Sequence, residues 1–131
     1  MALYSMINGT LDINGTAITC LLTVSTSETV DIFVAECAGS TFKQKVAGLT
    51  DASMSVTFNT DDSDVTEENA LRPNTIITSL TFQPAGAGSG LIEITSTGGI
   101  IEGVDREYGT TALSSGTRSI QLDNLTYALQ P

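Results

Sequence analysis

Residues 52–59 alternate without a break: Ala52, Met54, Val56 and Phe58 are apolar, while Ser53, Ser55, Thr57 and Asn59 between them are polar. A period of two puts one set on each face of a pleated strand, whereas a helix would scatter both sets around its circumference. This segment is predicted to be a half-buried strand, and such a strand needs a sheet and an opposite layer to cover its apolar face. Residues 17–24 alternate too, with Ile18, Cys20, Leu22 and Val24 in one phase. Residues 25–28 read as a polar turn. Residues 30–37 are apolar on both sides in their middle, the pattern of a strand covered on both faces. After a turn at residues 39–41, residues 42–46 carry both lysines of the chain, Lys43 and Lys45.

Turn chemistry punctuates the pattern. Ile7-Asn8-Gly9-Thr10 is echoed by Ile13-Asn14-Gly15-Thr16, and Asn-Gly pairs favour tight turns because both residues tolerate positive φ. The echo reads as a hairpin entrance. Both Asn-Gly-Thr triplets, and Asn124-Leu125-Thr126, also fit the N-glycosylation pattern, but the turn-and-strand reading takes precedence in a chain without an export signal. Residues 83–90, with Gly86, Gly88 and Gly90, read as a flexible hairpin connection, and residues 107–116 as a long polar loop. Residues 75–82 form a further strand with Ile76, Leu80 and Phe82 in phase. Residues 91–95 and 100–104 form two more, and residues 118–129 close the domain with a bulge near Asp123 and Asn124.

One helix is expected, over about residues 63–72: Ser63 or Asp64 can cap it, acids fill its first turn and Pro73 ends it. The fold class is mainly β, an antiparallel sandwich or barrel of about eight strands with one short helix. A chain of 131 residues suits a single domain over 1–131, here with a flexible N-terminal arm at about residues 1–10. Thr, Ser, Gly and the β-branched residues dominate, and only 5% of residues are aromatic.

Five basic residues against fifteen acidic ones give a formal net charge of −10. Such a surface repels phosphate and anionic lipid, which disfavours gripping nucleic acid but not letting it slide past. No apolar run reaches a membrane-spanning length, and the N-terminus lacks the basic start and apolar core of a signal peptide. The two cysteines, Cys20 and Cys37, are expected in a reducing compartment, as small buried hydrophobes or, if their strands are adjacent, as a disulfide.

The sequence has no histidine, which removes the usual base of Ser and Cys nucleophile systems and the commonest zinc ligand. Paired carboxylates remain: Asp61, Asp62 and Asp64, or Glu102 with Asp105. The first group sits where acids cap a helix, and neither has the aromatic surroundings of a sugar-cleaving cleft. The acidic turn also lacks the glycine and spacing of a calcium loop. The Gly86, Gly88, Gly90 spacing would suit phosphate only before a helix, yet a strand follows. No enzymatic activity, cofactor or metal is expected.

Gly48-Leu49-Thr50-Asp51 leads into the alternating strand 52–58, followed by an acidic turn, a short helix and the strand 75–82. This order resembles the tail tube proteins of long-tailed bacteriophages, whose "GL-x-D-x-S-x-S" strand precedes an acidic turn, one helix and a further strand. The glycine-rich hairpin and the closing strand extend the likeness over about residues 13–129. The resemblance implies a β-sandwich subunit that forms hexameric rings stacked into a hollow tube, an architecture shared with type VI secretion tubes. It further implies tape-measure, terminator and baseplate or tip proteins as partners, and a place in the virion tail after assembly in the host cytoplasm. Double-stranded DNA would pass through without specific binding, and no membrane would be involved.

Six copies at −10 each would give a ring of about −60, a lining that phosphate does not adhere to. Candidate lumen acids are Glu28, Asp31, Glu93, Glu102 and Asp123. Candidate subunit contacts are Glu36, Lys43, Lys45 and Val46, where scarce basic residues can pair with a neighbour's acids, with Gly86, Gly88 and Tyr108 as contacts between rings. The rival readings are a head decoration or cement protein, and a secreted carbohydrate-binding or adhesion module using Tyr4, Tyr108 or Tyr127.

Overall fold

The computed structural model describes residues 6–18, 20–36, 38–39, 41–60, 65–110 and 113–131. Cys37, Tyr4 and the acids Asp61, Asp62 and Asp64 lie outside the described residues. Ten strands are present among those described: β1 (Thr10–Ile13), β2 (Thr16–Ala17), β3 (Leu21–Ala35), β4 (Gln44–Asn59), β5 (Ile76–Ile77), β6 (Leu80–Gln83), β7 (Ile92–Ser96), β8 (Gly99–Glu107), β9 (Ser115–Leu122) and β10 (Thr126–Leu129). Among the described residues one α-helix, α1 (Val65–Ala70), lies between β4 and β5, inside the range predicted for it. The strands form two antiparallel sheets, ordered β10-β7-β6-β1-β2 and β3-β4-β9-β8-β5. This is a sandwich rather than a closed barrel.

The predicted strand 52–58 is the axis of the core. Ala52, Met54, Val56 and Phe58 are all buried, facing Leu11, Ile13, Leu80, Phe82 and Ile94 of the first sheet. Ile101, Ile120 and Leu122 extend the same face along β8 and β9, and Leu71 closes the end beyond α1.

Two predicted boundaries dissolve. Residues 25–28 do not turn. They continue β3, with Ser25, Thr26, Ser27 and Glu28 paired to Ser55, Met54, Ser53 and Ala52. No Gly, Pro or Asn is there to bend the chain, and Ser and Thr are tolerated in strands. Likewise residues 44–59 form one strand. Between Val30 and Ile32 the register shifts, so that Gly48 and Leu49 both stand opposite Asp31 as a bulge. A Cβ on Gly48 would come within 2.5 Å of the Phe33 ring, so the glycine makes room for that ring.

Two predicted strands are instead split between the sheets. Residues 75–82 divide into β5 in the second sheet and β6 in the first, which buries Ile77 and exposes Ile76. The crossing is held by Asn14. It sits with Gly15 in a two-residue turn at φ 53° and 83°, and its Oδ1 accepts from the Thr78 backbone N at 2.7 Å and from the Ser79 N at 3.3 Å. The predicted bulge near Asp123 and Asn124 is the second crossing, from β9 to β10. There Asp123 N donates to Gly98 O and the Asn124 side chain pairs with Thr97. Cys20 is neither buried nor in a regular strand. It is exposed, with a free thiol and φ 52°, at the corner entering β3.

Candidate assembly surface

Beyond the sandwich, β3 and β4 continue as a two-stranded ribbon. β9 pairs with β4 only from Ala52 to Asn59, so residues 44–51 have no third strand on that side. Seven residues of β3, 29–35, extend past this point, about 23 Å at the usual strand rise. The ribbon was expected to be covered on both faces. Instead Val30, Ile32, Phe33, Val34, Val46 and Leu49 are exposed, Phe33 by 62% and Leu49 by 83%. Among the described residues, no second layer reaches them. An isolated two-stranded hairpin is marginal in water, and contiguous apolar surface of this kind marks an interaction site.

Period-two alternation sorts the ribbon's side chains. Val24, paired with the buried Val56, sets the core-facing phase of β3, so Glu28, Val30, Ile32 and Val34 lie on that side. Ser25, Ser27, Thr29, Asp31 and Phe33 lie on the other. Glu36 and Lys43 meet at 3.2 Å across the tip, both well exposed, a geometry that contributes little stability. Lys45 pairs in register with Val34.

The second sheet's outward face is mainly polar, with Ile76 and Ile100 at its β5 end. It carries Ser25 and Ser27 from β3, Ser53, Ser55 and Thr57 from β4, Thr117, Ser119 and Gln121 from β9, and the acids Glu102, Asp105 and Glu107 from β8, as the register places them. Gln121 Nε2 donates to Glu102 Oε2 at 2.7 Å, and the Thr57 and Thr117 hydroxyls meet at 3.1 Å. A shallow groove of about 230 Å³ runs between the serines and Glu102. No lysine or arginine stands on this face among the described residues.

The other candidate acids fall elsewhere. Glu28 is on the core-facing side, Glu93 belongs to the first sheet and bonds Gln83, and Asp123 sits in the second crossing. The glycine-rich hairpin, read as flexible, is clamped: Gln130 Oε1 accepts from Gly88 N and its Nε2 donates to Gly86 O, both at 2.9 Å. Gly86 holds φ 90° with no room for a side chain beside Asn8. Tyr108 is exposed just past β8.

Sequence reasoning missed one charged centre. Arg118, on the core-facing side of β9, is fully buried. Its guanidinium lies 5.0 Å over the Phe58 ring, its Nε donates to Leu71 O at 3.0 Å, and its Nη2 reaches Glu68 Oε2 at 3.3 Å. Arg106 shares the same carboxylate oxygen at 2.8 Å. Burial lowers the Arg118 guanidinium from its ordinary range, and Glu68 opposes that. The cluster fastens α1 to β8 and β9. The one signal for it in the sequence was Arg118 standing in phase with Ile120 and Leu122.

No protein-family model matches the chain, and no curated protein matches it by sequence. Solved structures do. The chain superposes on a protein of an extracellular contractile injection system sheath–tube complex with a TM-score of 0.75, at 10% identity, over 98% of this chain and 93% of that one. It matches the tail of a gene transfer agent particle of C6 symmetry at 0.64 and 14% identity, over 94% of both chains. The SPP1 tail tube matches at 0.68 and 10% identity, over 94% of this chain and 76% of that one. The chain has the tail-tube fold.

Proposed function

We propose that this protein is a structural tube subunit, whose copies join edge to edge into rings that stack as a phage-type tail tube. The observation that carries this is the second sheet's pair of open edges. Among the described residues, β3 has no strand on its outer side, and β8 is open from Glu102 to Glu107, because β5 pairs only with Gly99 and Ile100. β3, β4, β9 and β8 alternate in direction, so β8 of one copy meets β3 of the next antiparallel. A ring of copies then carries one unbroken antiparallel ladder with no exposed edge.

Six copies per ring is the symmetry of the gene transfer agent tail. In such a ring the first sheet lies outside, and the Ser- and Thr-rich face with Glu102, Asp105 and Glu107 lines the bore. Hydroxyls and carboxylates without a single cation give DNA phosphate nothing to hold, so DNA slides through. Of the candidate lumen acids, Glu102 fits this lining directly, and Asp31 continues its phase along the ribbon. The role is structural rather than enzymatic, located in the virion tail and completed by tape-measure, terminator and baseplate proteins.

Negative-stain electron microscopy of the purified full chain tests the reading. Six-fold rings or tubes are expected. Monodisperse monomers at high concentration across low and high salt would overturn it.

A further inference from the structure

The sandwich is incomplete in a second place. On the first sheet, Ile94 and Ser96 of β7 face the core, so Ile92 shares their side, and register puts Tyr127 opposite Ile94 and Leu129 opposite Ile92. These three side chains therefore point to the side where the second sheet should lie, yet Ile92 is 41%, Tyr127 48% and Leu129 70% exposed. Here an inner face lacks its opposite layer. The ribbon has the reverse defect, because Val30, Ile32 and Val34 continue the inner face of the second sheet past the point where the first sheet ends.

We propose that the ribbon of one copy docks its Val30, Ile32 and Val34 row on the Ile92, Tyr127 and Leu129 patch of a second copy, supplying the missing layer of its sandwich. The inference rests on the self-assembly reading above and names the surface it uses. Two features select a copy of this chain as the occupant. Each surface is a half-layer of the same sandwich, with strand spacing and apolar rows of matching kind. Charge at the ribbon's tip agrees as well: residues 36–45 carry Lys43 and Lys45 against Glu36, one net positive charge in a chain of net −10, while Asp31 and Asp51 lie nearer its base. This is the segment that an acidic copy attracts rather than repels. Ribbon and patch are different surfaces, so the contact is head-to-tail and propagates from copy to copy.

Mixed single-cysteine chains test this. In a Cys20→Ser, Cys37→Ser background, chains carrying Ile32→Cys are mixed with differently sized chains carrying Tyr127→Cys and oxidised under assembly conditions. Both positions are exposed, so folding is unaffected. The expected product is a cross-linked heterodimer at least fivefold above the homodimers of either variant alone, with rings or tubes visible in the same sample. Tubes without that enrichment would overturn the docking surface and leave the tube reading standing. Enrichment in particles that never form rings or tubes would support the docking surface and overturn the tube reading. Cross-linking within one doubly substituted chain at high dilution would show the ribbon folding back on its own patch, and would overturn the proposal too.

Discussion

Val24 and Val30 lie in the same strand and the same phase, six residues apart, yet Val24 packs against the core while Val30 is 42% exposed. The difference is not in β3 itself. At Val24 the sheet runs on through β4 into β9 and is faced by the first sheet. At Val30 it has β4 alone beside it, with no opposite layer among the described residues. Hydrogen-bonded pairing makes a strand, but burial requires a second layer, and this chain supplies that layer for only half of its longest hairpin. One half is a finished core, and the other is exposed apolar surface.

The contrast can be broken most sharply at Phe58. Phe58→Ala removes a buried ring and the face on which Arg118 rests, and should cost about 3–5 kcal/mol in urea unfolding. Glu68→Ala strips Arg118 and Arg106 of their shared carboxylate, and a loss of about 2–3 kcal/mol is expected by the same measurement. A cost below about 0.5 kcal/mol would show that the guanidinium needs no counter-charge there. Asn14→Ala loses the acceptor that holds the first crossing and places a poor residue at positive φ, for about 1–2 kcal/mol. Asn14→Gly keeps the backbone angle, so the difference between the two variants separates conformation from hydrogen bonding.

The ribbon should behave in the opposite manner. Ile32→Ser is expected to change monomer stability by less than about 0.5 kcal/mol while suppressing assembly seen by electron microscopy. Hydrogen exchange sharpens the comparison without a mutation: amides at residues 44–50 should exchange far faster than those at 54–58 in the monomer, and the gap should narrow on assembly.

The sandwich half was largely legible in the chain. Alternation at residues 52–58 named the core strand and its buried side, Asn14-Gly15 named its hairpin, and Pro73 bounded the helix. Elsewhere the same pattern misled, because period two reports which residues share a face and not which sheet they join. Residues 75–82 and 118–129 keep their periodicity closely enough across a change of sheet that each reads as one strand. The ribbon's two-sided apolar run reads as burial, since sequence does not distinguish cover from the same chain and cover from another. Arg118 was hidden for a related reason. Its carboxylate partner comes from a helix fifty residues away, a pairing no local spacing reveals.

The second sheet also obeys a counting rule with a long reach. Its four long strands alternate in sense and end on opposite-running borders, so in the proposed ring each copy would be a tile able to abut its own kind at any copy number. The hydrogen-bond seam is then indifferent to how many tiles close the circle, which is left to strand twist and side-chain bulk beside the seam. A lineage of such tiles could widen or narrow its bore by substitutions at the border alone. Adding a single strand would spoil the parity and force a mismatched seam into every circle.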